Sequence, residues 1–573
     1  MIDIQRWLLI AGLAITSYML VLAWNEDYNK PMNTTGTNAL ETVPDQLQGG
    51  ETAGVPGTDN LLGIPSVQVP ETVPTAVIND EIPQAAVSEA QQPVTASRKV
   101  VHIETDVLRL LIDPLGGDII KVELLDYPVS LSTRDIPYVL VNPSNNYVTQ
   151  TGLIGPDGTD SNLGRPEFHT ASLNYQLEPG MDRLQVDLHL EQPSGVRLIK
   201  RFTFRPGDYL INIDYIIENT KTEPWRGRLF SQIKRNGQLP TRDESGMGMQ
   251  PYVGGATFTA DEPYRKLEFE DLEEQSYRYE TNGGYMAMVQ KYFVTALVPQ
   301  NPEGTHIYQA RKLSGRDLYL FGMMTSDWQI PPGMTDSRGV NFYAGPKDQY
   351  RLRDIAKGLD LTIDYGFLWW LAQPLFWLLM VIHELVNNWG YAIIGLTLIV
   401  KIMLYPLSAA SFRSMAKMRK LQPEMVRLKE RFGDDRQKFS VAMMDLYKKE
   451  GANPLGGCLP ILLQMPVFLS LYWVIMESVE IRQAPFALWI HDLSAMDPYF
   501  VLPILMGGSM WLTQSLQPEP PDPVQAKVFK MMPIMFTFFF LWFPSGLVLY
   551  WLVNNVLSIL QQWYVNRQIS KAS

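Results

Sequence analysis

Tyr391–Ser408 reads YAIIGLTLIVKIMLYPLS, and apart from its tyrosines the one ionisable side chain in it is Lys401. Three more apolar segments follow: Gly456–Met476, Tyr499–Leu516 and Val528–Tyr564, the last long enough for two crossings. A spanning helix needs about 20 predominantly apolar residues, so this half of the chain reads as bilayer-embedded. None of these segments holds Asp or Glu at mid-membrane depth, which leaves Lys401 without an intramembrane counter-charge.

The chain has 573 residues, enough for two or three domains. A net charge of -12 argues against nucleic-acid binding by the whole molecule, and no DNA partner is expected. The single cysteine, Cys458, excludes an internal disulfide and reads as a small buried hydrophobe. The 6 histidines show no metal-ligand spacing, and neither a phosphate-binding loop nor a nucleophile elbow occurs. No cofactor, metal or enzymatic chemistry is expected.

Towards the N-terminus, residues 1–24 hold Arg6 and the apolar run Trp7–Ala23 with no small-residue cleavage site before Trp24. They read as an uncleaved anchor that starts in the cytoplasm. Residues 25–97, rich in Thr, Pro, Gly, Val and Gln, read as a disordered tether. From 98 to 350 the pattern turns to alternation, as in His102–Ile112, Ile119–Leu125, Val196–Phe204 and Met286–Val298. Turn signals such as Arg205-Pro-Gly-Asp208 separate the runs. Strands over this length without regular helices predict a large antiparallel sandwich. It serves as a spacer or interaction domain on one reading and binds or modifies carbohydrate on another. No paired catalytic constellation favours the second.

Residues 351–388 include GFLWWLAQPLFWLLMVIHELVNN from Gly366, apolar enough to span. Topology argues otherwise. A crossing there would put loop 409–455 outside, with Arg413, Lys417, Arg419, Lys420, Arg427, Lys429 and Arg431 among its cations. That violates the positive-inside rule, so 366–388 is expected to lie flat on the outer interface as an amphipathic helix. Residues 389–408 then form transmembrane helix 2, and 409–455 a basic cytoplasmic hairpin of two helices broken at Gly433-Asp-Asp435. The remaining crossings are 456–480, 499–516, 528–543 and 547–567. A periplasmic loop at 481–498, a cytoplasmic loop at 517–527 and a short cytoplasmic tail at 568–573 join or end them. The fold class is a polytopic α-helical membrane protein, an anchor plus a five-helix core, bearing an all-β domain.

Counted at about 1.5 Å per residue, Lys401 lies roughly 10 Å above the inner end of its helix at Ser408. On the same count Gln464 falls at a similar height and Thr537 at about 14 Å, while Asn555 and Ser558 descend through the inner half of the last helix. Thr397 is one turn from Lys401 on the same face. Snorkelling explains the lysine alone as well as a hydrated hollow does. The shared depth of these residues favours a hollow open to the cytoplasm, which would receive polar segments part-way while apolar ones leave into lipid.

Asn453-Pro-Leu-Gly-Gly-Cys458, Gln464-Met-Pro466, Ala484-Pro-Phe-Ala-Leu-Trp489 and Phe543-Pro-Ser-Gly-Leu547 resemble the YidC membrane insertases, relatives of the mitochondrial Oxa and chloroplast Alb proteins. With its tether and β domain the chain resembles the Gram-negative form. The resemblance implies an inner-membrane insertase and chaperone with a periplasmic β-supersandwich similar to sugar mutarotases. It also implies a groove whose arginine is replaced here by Lys401, and contacts with nascent membrane proteins, membrane lipids, the ribosome and the Sec translocon. Lysine keeps the charge and loses the planar fork. The rival readings are a transporter or channel, which would need polar residues through the outer leaflet, and an anchored periplasmic carbohydrate-binding protein.

Overall fold

The computed structural model describes residues 99–161, 164–238, 251–313, 315–432, 435–451, 459–517 and 523–572. The anchor, the tether and the whole Asn453–Cys458 string lie outside the described residues.

Two sheets, of 11 and 8 strands, face each other between Val101 and Pro346. Almost every pairing is antiparallel; Val101–Glu104 and Asn174–Gln176 run parallel. The run His102–Ile112 is two strands, Val101–Glu104 and Leu108–Asp113, because the Thr105 hydroxyl accepts from the Leu108 amide (2.9 Å) and turns the chain. The domain also contains a short helix, α1 (Phe269–Glu274), where none was expected. Bulky side chains including Trp225, Trp328, Phe202 and Tyr215 fill the space between the sheets. A polar cluster is buried among them. Arg165 pairs with Asp118 and, at 2.8 Å, with Asp160. Lys200, fully enclosed, donates to the carbonyls of Gly116 (2.8 Å) and Thr151 (3.2 Å).

Strand Tyr285–Val289 is buried on both faces. Met286 and Met288 point into the sandwich, while Tyr285, Ala287 and Val289 point to a second core. That second core belongs to the chain that follows. α2 (Gln349–Ile355) and the residues to Tyr365 cover the sheet, and the helical half continues the same apolar cluster. Its members are α3 (Trp369–Val386), α4 (Trp389–Met403), α5 (Tyr405–Lys420), α6 (Gln422–Phe432), α7 (Arg436–Lys449), α8 (Leu459–Glu477), α9 (Val501–Ser515), α10 (Pro523–Phe539) and α11 (Ser545–Ala572).

Several boundaries differ from the sequence reading. α4 ends at Met403, not Ser408, and meets α5 at a 67° bend. Pro406 supplies no amide for the turn before it and its ring crowds that turn, so one continuous helix is unfavourable here. The basic segment is three helices, with α5 packed on α11 through Phe412, Met415 and Val565. α10 begins at Pro523, inside the expected 517–527 connector, with proline at its favoured first position. α11 starts at Ser545 and runs on to Ala572 past the apolar stretch.

One proline inside a helix is compensated from a neighbouring helix. Pro533 leaves the Phe529 carbonyl without its helical donor, and the side-chain amide of Gln514 on α9 donates to that carbonyl. By length and apolarity, among the described residues, Gly366–Val386 passes as a span, and α4 with α5 passes as a bent pair.

Candidate functional site

The segment between α8 and α9 fixes where the bundle begins. Asn388 caps α4 and donates to the Phe486 carbonyl (3.0 Å), and the Phe486 ring lies where a Cβ on Gly390 would stand. The buried Asp497 accepts from the Leu502 amide (2.7 Å) and the Trp489 indole (2.9 Å). Ser545 donates to the Asp492 carbonyl (2.8 Å). The strings around Ala484–Trp489 and Phe543–Leu547 are therefore scaffolding that pins the start of α11 beside α4 and α9.

From there α11 runs as a polar spine. Tyr550 receives the side-chain amide of Gln464 on α8. Asn555 donates to Ser509 on α9 (3.0 Å). Lys401 on α4 donates to Ser558 (2.8 Å), and Gln561 donates to the backbone carbonyl of Lys401 (3.4 Å). Gln562 donates to the Leu516 carbonyl at the end of α9 (3.2 Å). These side chains tie α11 to α8 through Tyr550, to α9 through Asn555 and Gln562, and to α4 through Ser558 and Gln561. Between Tyr550 and Ser558 the ladder climbs about 12 Å at the helical rise.

This geometry corrects the single shared depth expected above. Gln464 sits at the Tyr550 rung, eight residues along α11 from Ser558 and so about two turns from Lys401. Part of the difference lies in α4, which stops two residues after Lys401, so Ser408 is not the end of the lysine's helix. Thr537 is off the ladder: it sits against Gly507 of α9, and its hydroxyl donates to the Pro533 carbonyl (2.7 Å). Thr397 is buried one turn before Lys401, donating to the Ile393 carbonyl (2.6 Å).

Lys401 is 7% exposed, and among the described residues no carboxylate pairs with it. Asn554 Oδ1 and Gln561 Oε1 are buried near it on α11 with no hydrogen-bond donor among the described residues. A hydroxyl accepts from one of the ammonium group's N–H donors and leaves its charge uncompensated. Sequence reasoning missed Tyr550, which reads as an interfacial aromatic, and Ser509, which reads with Gly507 and Gly508 as a close-packing patch. Arg413, Lys417, Arg419, Lys420, Arg427, Lys429 and Arg431 are all exposed along α5 and α6. Beneath them the Tyr447 hydroxyl meets Met425 Sδ (2.9 Å) and joins α6 to α7.

Comparison with known proteins covers both halves. Residues 381–572 match the family described as 60Kd inner membrane protein, and residues 100–378 match the YidC periplasmic domain. The chain is 48% identical to the membrane protein insertase YidC of Pseudomonas paraeruginosa over 596 aligned positions, covering 100% of this chain and 99% of that one. It is likewise 48% identical to that of Cellvibrio japonicus, with the same coverage. Among solved structures, a crystal structure of active YidC insertase with its first transmembrane domain resolved aligns at a TM-score of 0.37 and 19% identity, over 82% of this chain and 94% of that one. A galactose mutarotase-like protein from Lactobacillus casei aligns at 0.30 and 9% identity, over 43% of this chain and 99% of that one.

Proposed function

Since the chain belongs to the YidC family of membrane protein insertases, we propose that it inserts client segments along the polar ladder of α11, with Lys401 as the charge they meet. It is an inner-membrane protein with a periplasmic β domain. Nascent membrane proteins are its clients. In this reading it also acts as a folding chaperone, alone or with the Sec translocon, and without covalent chemistry.

The observation that carries the reading is Lys401 held by a neutral hydroxyl. A lysine at a helix centre costs about 2.5–3.5 kcal/mol on insertion scales, less off-centre. An acidic residue of an incoming segment would offset part of that cost while bound and restore it on leaving, so the attraction is transient. Thr397, Ser558, Asn555 and Gln464 keep the path polar, and the client's apolar part leaves sideways into lipid.

The orientation follows from charge. Placing α5–α7 in the cytoplasm puts their exposed cations on the side where ribosomes dock, with both chain ends inside. α3 then lies flat at the outer interface. Trp369, Trp370 and Trp377 on its exposed side suit the headgroup layer, although its length alone would allow a crossing.

The test is photo-crosslinking from position 401 to a stalled nascent chain, together with insertion of a single-spanning client whose translocated end is acidic. Contact at 401, slowed insertion by Lys401→Ala and near-normal insertion by Lys401→Arg are expected. Equal insertion by the wild type and both variants would overturn the charge role.

A further inference from the structure

The two halves of the molecule meet at a seam made of unusual parts. Lys347, at the end of the last strand of the smaller sheet, pairs with Glu477 at the end of α8, and both side chains are 1% exposed. Lys347 also reaches the Thr362 carbonyl (3.4 Å). Two residues on, Val479 enters the core between the sheets. Arg482 follows. Its guanidinium lies 5.6–5.9 Å from the ring centres of Tyr138, Tyr292 and Phe293, and it donates to the Pro128 carbonyl (2.7 Å). Gln483 donates to the same carbonyl (3.3 Å). An ion pair, an apolar plug and a caged cation thus hold one five-turn helix by one end.

That helix carries Gln464 at its other end, on the Tyr550 rung of the ladder. We propose that Lys347 and Arg482 are positioning residues for the groove: they moor α8 to the β domain and so set where Gln464 meets α11. The chemistry favours mooring over casual contact. A buried ion pair adds little net stability over an apolar pair of similar size, yet losing one partner strands a buried charge, so the seam has a closed state and a strongly disfavoured broken one. Arginine in an aromatic cage likewise combines cation–π attraction with a directed hydrogen bond.

The inference rests on the groove reading for its consequence but not for its geometry, and the experiment separates the two. Full-length protein in nanodiscs is compared by hydrogen exchange and by client insertion for the wild type, Lys347→Ala, Arg482→Ala, and the double variant Lys347→Met with Glu477→Leu. Lys347→Ala and Arg482→Ala are expected to speed amide exchange at residues 459–486 at least tenfold and to slow insertion. Strands 108–128 should keep their protection, which shows the domain still folded. The apolar double variant leaves no stranded charge and should restore both readouts. Unchanged exchange in α8, or a double variant as loose as Lys347→Ala, overturns the mooring. Faster exchange with insertion at the wild-type rate overturns the positioning role. Lys401→Ala that inserts normally would count against the groove reading alone.

Discussion

Lys401 on α4 and Ser558 on α11 are joined Nζ to Oγ at 2.8 Å, and the same serine hydroxyl donates to the Asn554 carbonyl one turn back (2.7 Å). The lysine is therefore held by a side chain that is itself held by its helix. Ser558→Ala removes the acceptor and leaves the ammonium with fewer buried partners. We expect it to slow insertion of an acidic client roughly three- to tenfold, about 0.7–1.4 kcal/mol of barrier. Lys401→Ala should cost more, and adding Ser558→Ala to it should cost little further. Insertion rates for the two single variants and the double measure this, and fully additive losses would show that Ser558 acts apart from Lys401.

The β half was largely legible in the sequence, because alternation fixes which residues face a core. What alternation could not convey is that strands such as Tyr285–Val289 bury both faces, one of them against the helical half. The helices were legible as apolar runs, but their ends were not. Pro406 ends α4 before its apolar run finishes, and α11 continues through polar residues because α5 packs against it. Those ends set the depth arithmetic, so the count gives Lys401 and Gln464 one height although about two turns of α11 separate them, and Thr537, counted with them, lies off the ladder against Gly507. Glu477 and Lys347 lie 130 residues apart, and no periodicity joins them.

Burial pushes Lys200 down to about 7, against the raising effect of Asp118. Its ordinary value is 10.5, so between pH 7 and 10.5 the unfolded chain binds a proton that the folded domain does not. The sandwich should gain stability as pH rises through that window, by at most about 1.4 kcal/mol per unit. Below pH 7 both states carry the proton and the gain is absent. Arg165 also donates to the Thr151 carbonyl, so Lys200→Met leaves that carbonyl satisfied and should flatten the dependence. Protection of strand Val196–Phe204 at pH 7 and 9, corrected for intrinsic exchange, reads this out. An equally steep rise in the variant would assign it to another group.

Glu480 lies in the seam with one carboxylate oxygen unpartnered among the described residues, and burial pushes it up to about 7. Asp348 raises it further, and Tyr127 and Tyr365 also feel its charge. Once the seam opens, the group returns towards 4.5. Closure is then fully favoured below 4.5 and weakens as pH rises through 7, where the docked carboxyl must ionise. Glu480→Gln should remove this dependence and hold the seam as acid does. Exchange of residues 478–486 between pH 5 and 8 tests it, and wild-type exchange that tracks only the intrinsic rate would refute it.

Gln514 and Pro533 make a matched pair, since the amide of one serves the carbonyl that the other leaves open. Gln514→Leu strands the Phe529 carbonyl between α9 and α10, where water is scarce, and should cost about 1–3 kcal/mol. Pro533→Ala returns a backbone donor to the same carbonyl. In that background Gln514→Leu should cost under about 1 kcal/mol, because the carbonyl no longer depends on a side chain. The Pro533→Ala change itself should straighten α10 and shift Thr537, which donates to the residue 533 carbonyl, against Gly507. Thermal unfolding of the four proteins in one detergent closes the cycle. A Gln514→Leu penalty that is the same in both backgrounds would mean the amide acts on packing and not on the orphaned carbonyl.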